Sequence, residues 1–247
     1  VLLPNGSKWQ NNKVQLVIKE RWQEFWTYAR NLAKGRKVVC IINGDICENV
    51  VFNHHFPSSL VTLNREYHRR AAVAEIEEVR KPGDIWLIGR GTPVHDGDEG
   101  QDAETVAREI GCKQNEDGTY SQHIIKIDVN NIKMLFAHRI GTTQSPVSET
   151  TALTGMMVRA ARAAGLFGSE MPQIMGFAHR HVASAISVAG YDVFVTPAWC
   201  AHGEYSYGID PVSPAQVGGS VILVDRDSSY YISHKNWSLP EKGYEKL

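Results

Sequence analysis

The chain has 247 residues, 43% of them hydrophobic and 21% charged, ordinary values for a globular protein of one large domain or two small ones. A formal net charge of −1 removes any global electrostatic case for nucleic-acid binding and leaves only local basic grooves. No apolar run approaches the ~20 residues of a membrane span, no signal peptide is visible, and Cys40, Cys47, Cys112 and Cys200 form no C-x-x-C pair, which fits a reducing, cytoplasmic setting better than a disulfide framework.

Residues 1–13 read as polar loop. Ile18, Trp22, Phe25, Trp26, Ala29, Leu32 and Ala33 then recur at helical spacing, with Gly35 suited to the position after the helix. The aromatic stripe reads as core. Val38-Val39-Cys40-Ile41-Ile42 is a β-branched run of the kind found in strands buried on both faces, and it opens into the acidic loop Gly44-Asp45-Ile46-Cys47-Glu48. A second helix is expected from about Ser59 to Val79, stopped by Lys81-Pro82-Gly83. Asp84 to Ile88 is the next strand, followed at once by Gly91-Thr92-Pro93-Val94-His95-Asp96.

Ala103, Val106, Ala107 and Ile110 predict a third helix. Residues from His123 to Val129 and from Ile132 to Phe136 predict a hairpin across Asn130-Asn131, ending at His138. A helix from Glu149 to Ala164 carries Leu153, Met156, Met157, Ala160 and Ala161 on its inner face, the methionines as core filler. Gln173 to Phe177 is a strand opening into Ala178-His179-Arg180-His181. Four further strands are expected at 183–188, 193–196, 221–224 and 230–233. Strand–helix alternation followed by strands predicts an α/β fold, a single domain over residues 1–247 in which mixed sheets pack together with helices outside.

Histidine and aspartate at successive strand ends, without matching cysteines, suit a divalent ion such as Mn²⁺, Fe²⁺ or Zn²⁺. In an extended segment His179 and His181 would point the same way.

These residues carry a resemblance. Gly44-Asp45-x-x-Glu48, an altered Gly91-Thr92-Pro93-Val94-His95-Asp96, the lone His138 and Ala178-His179-Arg180-His181 resemble, in order, motifs of the calcineurin-like metallophosphoesterases from about residue 37 to 225. The R-G-T-x-x-H form and the paired His54-His55 look most like phage and prophage members. The resemblance implies two β-sheets packed as a sandwich with flanking helices, and two divalent metal ions. Asp45 would bridge the ions, His138 and His179 would hold the second and His181 the first, and Thr92 would be a weak ligand where the family has asparagine. His95 would sit by the scissile phosphate with Asp96 orienting its ring. Apart from the resemblance, His54 and His55 would either line the substrate cleft or cap a loop, and Arg90, Arg139 and Arg180, which flank the proposed ligands, suit either phosphate recognition or surface solvation. Two ions about 3.5–4 Å apart would clamp phosphoryl oxygens and make hydroxide available near neutral pH. The implied activity is hydrolysis of a phosphomonoester or phosphodiester, with a nucleotide or nucleic acid as the favoured substrate.

The family's opening D-x-H is not found before Asp45, and the chain starts at Val1. The expectation is that a first strand is missing from this sequence. The alternative is a non-catalytic binding or assembly module with a degenerate metal site.

Overall fold

A computed structural model describes residues 6–8, 10–48, 62–141, 149–201 and 214–239. Helix α1 (Lys13–Ala33) starts at a capping box: the Asn12 side chain accepts the N–H of Gln15 at 2.8 Å, and the Gln15 side chain accepts that of Asn12 at 2.9 Å. It buries Phe25, Trp26 and Ala33, the stripe expected from spacing.

Strand β1 (Val39–Asn43) pairs in parallel with β2 (Ile85–Gly89) through the crossover helix α2 (Arg65–Val79), and β2 pairs with the short β3 (Ser121–Gln122). Helix α2 begins later than its apolar spacing suggested. Asn64 caps it, accepting the N–H of Glu66 at 2.9 Å, and Leu63 lies outside the helix and is exposed. After β2, Pro93–Asp96 forms a single turn, α3, with proline at its start. Helix α4 (Gln101–Glu109) follows and buries Ala103, Val106 and Ala107.

Strands β4 (Ile124–Val129) and β5 (Ile132–Ala137) form the predicted hairpin. Asn130 and Asn131 both take positive φ, 49° and 65°, as a two-residue turn of this kind requires. Helix α5 (Glu149–Phe167) returns the chain to β6 (Ile174–Phe177), parallel to β5. Leu153 and Met157 face inward, whereas Ala161 is exposed, contrary to the periodicity. Strands β7 (Ser184–Val188) and β8 (Tyr191–Val195) complete a five-stranded sheet ordered β4-β5-β6-β8-β7.

Strands β9 (Gln216–Val224) and β10 (Tyr230–Ser238) form a two-stranded sheet. Both are longer than the apolar pattern indicates. Gly218 and Gly219 interrupt that pattern, yet a Cβ on Gly219 would lie 2.8 Å from the ring of Phe25. The glycine lets α1 lie directly on the sheet, a long-range reason that a local pattern does not carry.

The layers follow from the cores. Ile41 and Leu87 of the three-stranded sheet, and Ile222 and Ile232 of the two-stranded sheet, pack on the same cluster as Ile125, Met134, Phe136, Ile174 and Phe194 of the five-stranded sheet. Helix α5 covers the opposite face of the five-stranded sheet through Leu153 and Met157. Helices α1, α2 and α4 cover the outer face of the first layer through Trp26, Ile76 and Val106. This is the expected α/β sandwich flanked by helices, with one difference: among the described residues, one of its two β-layers consists of two separate sheets.

Asn43, the last residue of β1, joins the layers where the site lies. Its side-chain amide donates to the carbonyls of Ala137 at 3.0 Å and Gly176 at 3.3 Å. The ends of β1, β5 and β6 are thereby held together, and Asp45, His138 and His179 follow them within two residues.

Candidate metal centre

Gly44 makes the turn out of β1 at φ 84°, and a Cβ there would lie 2.6 Å from His138 Nδ1. Asp45 itself has φ 53°. The Asp45 carboxylate then divides into two unlike halves. Oδ1 accepts the Thr92 N–H at 2.6 Å and the Thr92 hydroxyl at 3.0 Å. Oδ2 is buried and receives no hydrogen bond. It lies 2.8 Å from His138 Nε2, 3.8 Å from His95 Nε2 and 3.9 Å from His179 Nδ1.

The His138 ring explains why the short contact is not a neutral hydrogen bond. Its Nδ1 is 2.7 Å from the carbonyl oxygen of Asn43. A carbonyl only accepts, so the Nδ1 carries the proton, and in the neutral ring Nε2 presents a lone pair. That lone pair faces an anionic oxygen at 2.8 Å and the Nδ1 of His179 at 3.2 Å. Electron pairs converging in a buried place repel unless a further proton on one of the rings or a metal cation sits among them. Asp45, His138 and His179 each offer one ligand atom within 4.8 Å of the others. One carboxylate and two imidazoles form a donor set that fits a divalent ion, and the carbonyl behind His138 is the support that a metal-binding imidazole ordinarily has.

Burial alone would push the Asp45 carboxyl up, but the contacts of His138 and His179 and the nearby His95 outweigh it and hold the group well below the usual carboxylate range. Burial would lower the His95 imidazole; the Glu48 carboxylate and the charge of Asp45 raise it to about 9. Burial, assisted by its cationic neighbour His95, pushes His181 down to about 4.

The structure departs from expectation at several of these residues. Strand β6 ends at Phe177, and His179 and His181 take left-handed backbone at φ 75° and 60°. The segment is bent, and period-two alternation does not apply to it. His179 joins Asp45 and His138; His181 stands apart, with Nδ1 3.9 Å from the Cys200 thiol. Left-handed backbone costs a non-glycine residue about 1–2 kcal/mol, and three such residues at one site mark a conformation held by its surroundings.

Asp96 was expected to orient His95. It is fully buried, and its carboxylate instead accepts three backbone N–H groups, from Gly91 at 2.6 Å, Ile46 at 2.8 Å and Asp45 at 3.0 Å. Burial and the charge of Asp45 push its carboxyl up to about 6 against those N–H donors. The ring of His95 meets Glu48 instead, Nδ1 to Oε2 at 3.1 Å. Thr92 is buried, and its hydroxyl donates to Asp45. Pro93 and Val94 begin the turn of α3 that carries His95.

Arg90 does not reach this centre. Its Nε donates to Ser121 Oγ at 2.8 Å, and its side chain packs beneath Gly100. Arg139, which is exposed, and half-buried Arg180 line the same cavity as His95, His179 and His181. Arg180 Nε is buried without a hydrogen-bond partner. His54 and His55 lie outside the described residues. Local sequence reasoning missed Asn43, whose role depends on two other strands. A polar residue closing an otherwise apolar strand run was the available signal.

No family model matches the chain, and no curated protein matches it. Among solved structures, the chain is similar to Vps29 from Entamoeba histolytica solved with Zn²⁺, at 12% identity over 87% of this chain and 89% of that one, TM-score 0.43. A novel archaeal phosphodiesterase is similar at 12% identity over 88% and 95%, TM-score 0.40. A hypothetical protein from Pyrococcus horikoshii is similar at 11% identity over 87% and 82%, TM-score 0.42. Likenesses this distant assign no role to any residue. No described helix is long and apolar enough to cross a membrane.

Proposed function

We propose that this protein is a divalent-metal-dependent phosphoesterase, hydrolysing a phosphomonoester or phosphodiester, with a nucleotide or nucleic acid as the favoured substrate. The observation that carries the metal part is the unbonded Asp45 Oδ2 facing His138, His179 and His95. Asp45, His138 and His179 would hold one ion, and His181 with Asp45 would serve a second. The ions, when bound, supply Lewis acidity toward a phosphoryl oxygen and acidify water.

The protein's own groups supply the rest. His95 presents Nε2 toward the site while Glu48 holds Nδ1, an arrangement suited to giving a proton to a leaving oxygen. Arg139 and Arg180 offer guanidinium groups to the non-reacting phosphate oxygens. Thr92 fixes the Asp45 carboxylate by two hydrogen bonds to Oδ1, leaving Oδ2 for the metal.

The test is Mn²⁺-dependent hydrolysis of bis-p-nitrophenyl phosphate by the wild type, Asp45→Ala and His179→Ala. Both variants lose the activity; unchanged rates in both would sink the assignment. His95→Ala loses more on substrates with poor leaving groups than on nitrophenyl esters, and an equal loss on both rejects its acid role.

A second reading, a metal-poor binding or assembly module, is favoured by one observation: His181 lies outside the Asp45–His138–His179 group. Metal analysis separates the two. Two equivalents per chain support the enzyme, and none supports the module.

A further inference from the structure

Sequence pattern matched no cysteine to the histidines and aspartate, yet the fold brings one to them. Strand β8 ends at Val195, and the turn that follows carries Cys200 to the wall of the cavity that Asp45, His95, His179 and His181 also line. Trp199 anchors this turn. Its ring meets Trp22 and Phe25 of α1 edge to face, with centroids 5.1 and 5.8 Å away. Cys200 is exposed, whereas Cys40, Cys47 and Cys112 are buried.

The Cys200 thiol points at His181, with Sγ 3.9 Å from Nδ1. Among the described residues neither side chain has another hydrogen bond. A thiol is a weak donor, so at this length the contact contributes little by itself. The distance does suit two atoms bound to one ion. A sulfur about 2.3 Å and an imidazole nitrogen about 2.0–2.1 Å from a tetrahedral ion lie about 3.6 Å apart. The charges of Glu48 and Asp45 both act on the thiol. Asp45 Oδ2, buried and without a hydrogen bond, is an independent observation that favours a cation beside these donors.

We infer that Cys200 is a thiolate ligand of the second ion, beside His181, and that it makes this half of the centre prefer Zn²⁺ or Co²⁺ to Mn²⁺. The inference rests on the metal-centre reading given above. Proton balance is simple: the thiol releases its proton to solvent as the sulfur–metal bond forms. Thiolate sulfur is a soft donor, and Mn²⁺ is better suited by oxygen. Asp45, His138 and His179 offer only oxygen and nitrogen, so the two halves of the centre differ in the ions they favour.

The test is titration of the metal-free 247-residue chain, kept reduced, with Co²⁺, read by absorption. A cobalt–thiolate bond gives a charge-transfer band in the near ultraviolet, and the wild type is expected to show it. Cys200→Ser and His181→Ala should each lose the band, and Cys200→Ser should weaken one cobalt affinity at least about tenfold. A band that survives either substitution overturns the assignment, and so does cobalt uptake without a band. No cobalt uptake at all rejects the metal-centre reading itself, so the two failures are distinguishable. A second measurement needs no variant. Zn²⁺ should slow iodoacetamide alkylation of Cys200 in the wild type, read by peptide mass spectrometry, at least about tenfold, and Mn²⁺ at the same concentration should slow it less. Alkylation as fast with Zn²⁺ as without it overturns the ligand, and equal slowing by the two ions overturns the preference.

Discussion

The carboxylate of Asp96 accepts the backbone N–H of Asp45 at 3.0 Å, so one buried acid holds the loop that presents the other. With Ile46 and Gly91 as further donors, it locks the turn after β1 to the turn after β2. Asparagine cannot replace it, since its NH₂ would face backbone N–H groups. Asp96→Asn is expected to cost about 2–3 kcal/mol, the scale of leaving buried donors unsatisfied. Urea unfolding of the metal-free protein measures this. Unchanged stability would show that the clamp is dispensable.

Gly91 tests the same contact sterically. A Cβ there would lie 2.1 Å from the Asp45 nitrogen and 2.2 Å from Oδ1. Gly91→Ala is therefore expected to displace Asp45 and abolish metal uptake, at a cost of about 3 kcal/mol. Gly155, inside α5, has nothing within 4 Å of its would-be Cβ. Gly155→Ala should instead stabilise the protein by about 0.5–1 kcal/mol through helix propensity. Opposite shifts of the unfolding midpoint check the pair.

Metal binding has a readout that needs no substrate. An ion that binds only the folded chain adds about 2.7 kcal/mol at a hundredfold excess over its dissociation constant. For a chain of this length that raises the unfolding temperature by roughly 5–10 °C. Mn²⁺ should raise it in the wild type, and a chelator should reverse the rise. His179→Ala should remove most of it, whereas His123→Ala, at the Arg90 end of the molecule, should keep it. Equal shifts in both variants would remove His179 from the ion.

The residues of the site were legible because each ends a strand whose own pattern is strong. The run 38–42 places Asp45, the hairpin across Asn130-Asn131 places His138, and the buried strand before Ala178 places His179. What local pattern did not carry was set by distant contacts. Arg90 follows a strand as Asp45, His138 and His179 do, but Ser121 draws it away. Asp96 adjoins His95 in sequence, yet burial against three N–H groups gives it a different task. The backbone at His179 and His181 is left-handed because of the turn it must make, which spacing in an extended strand cannot anticipate.

Away from the site, Glu104 makes a pH prediction with a definite sign. It accepts the Tyr120 N–H and the Ser121 N–H and hydroxyl, tying α4 to the residues that form β3. Burial raises its carboxyl, but the Ser121 hydroxyl, the two N–H groups and the charge of Arg90 outweigh it, and the net effect is a lowered value. A carboxyl lowered in the folded state contributes stability that is full above its unfolded value of 4.5 and is lost as pH falls through the lower folded value. Glu104→Gln keeps the shape and removes the charge. At pH 7 it should lower stability by about 1 kcal/mol, the scale of hydrogen bonds to a charged group in a partly exposed place. The difference from wild type should stay constant down to about pH 5 and shrink below that. Urea midpoints for both proteins from pH 7 to pH 3 check it, and a difference that grows on acidification would contradict the assignment of Glu104 as a lowered, hydrogen-bonded carboxylate.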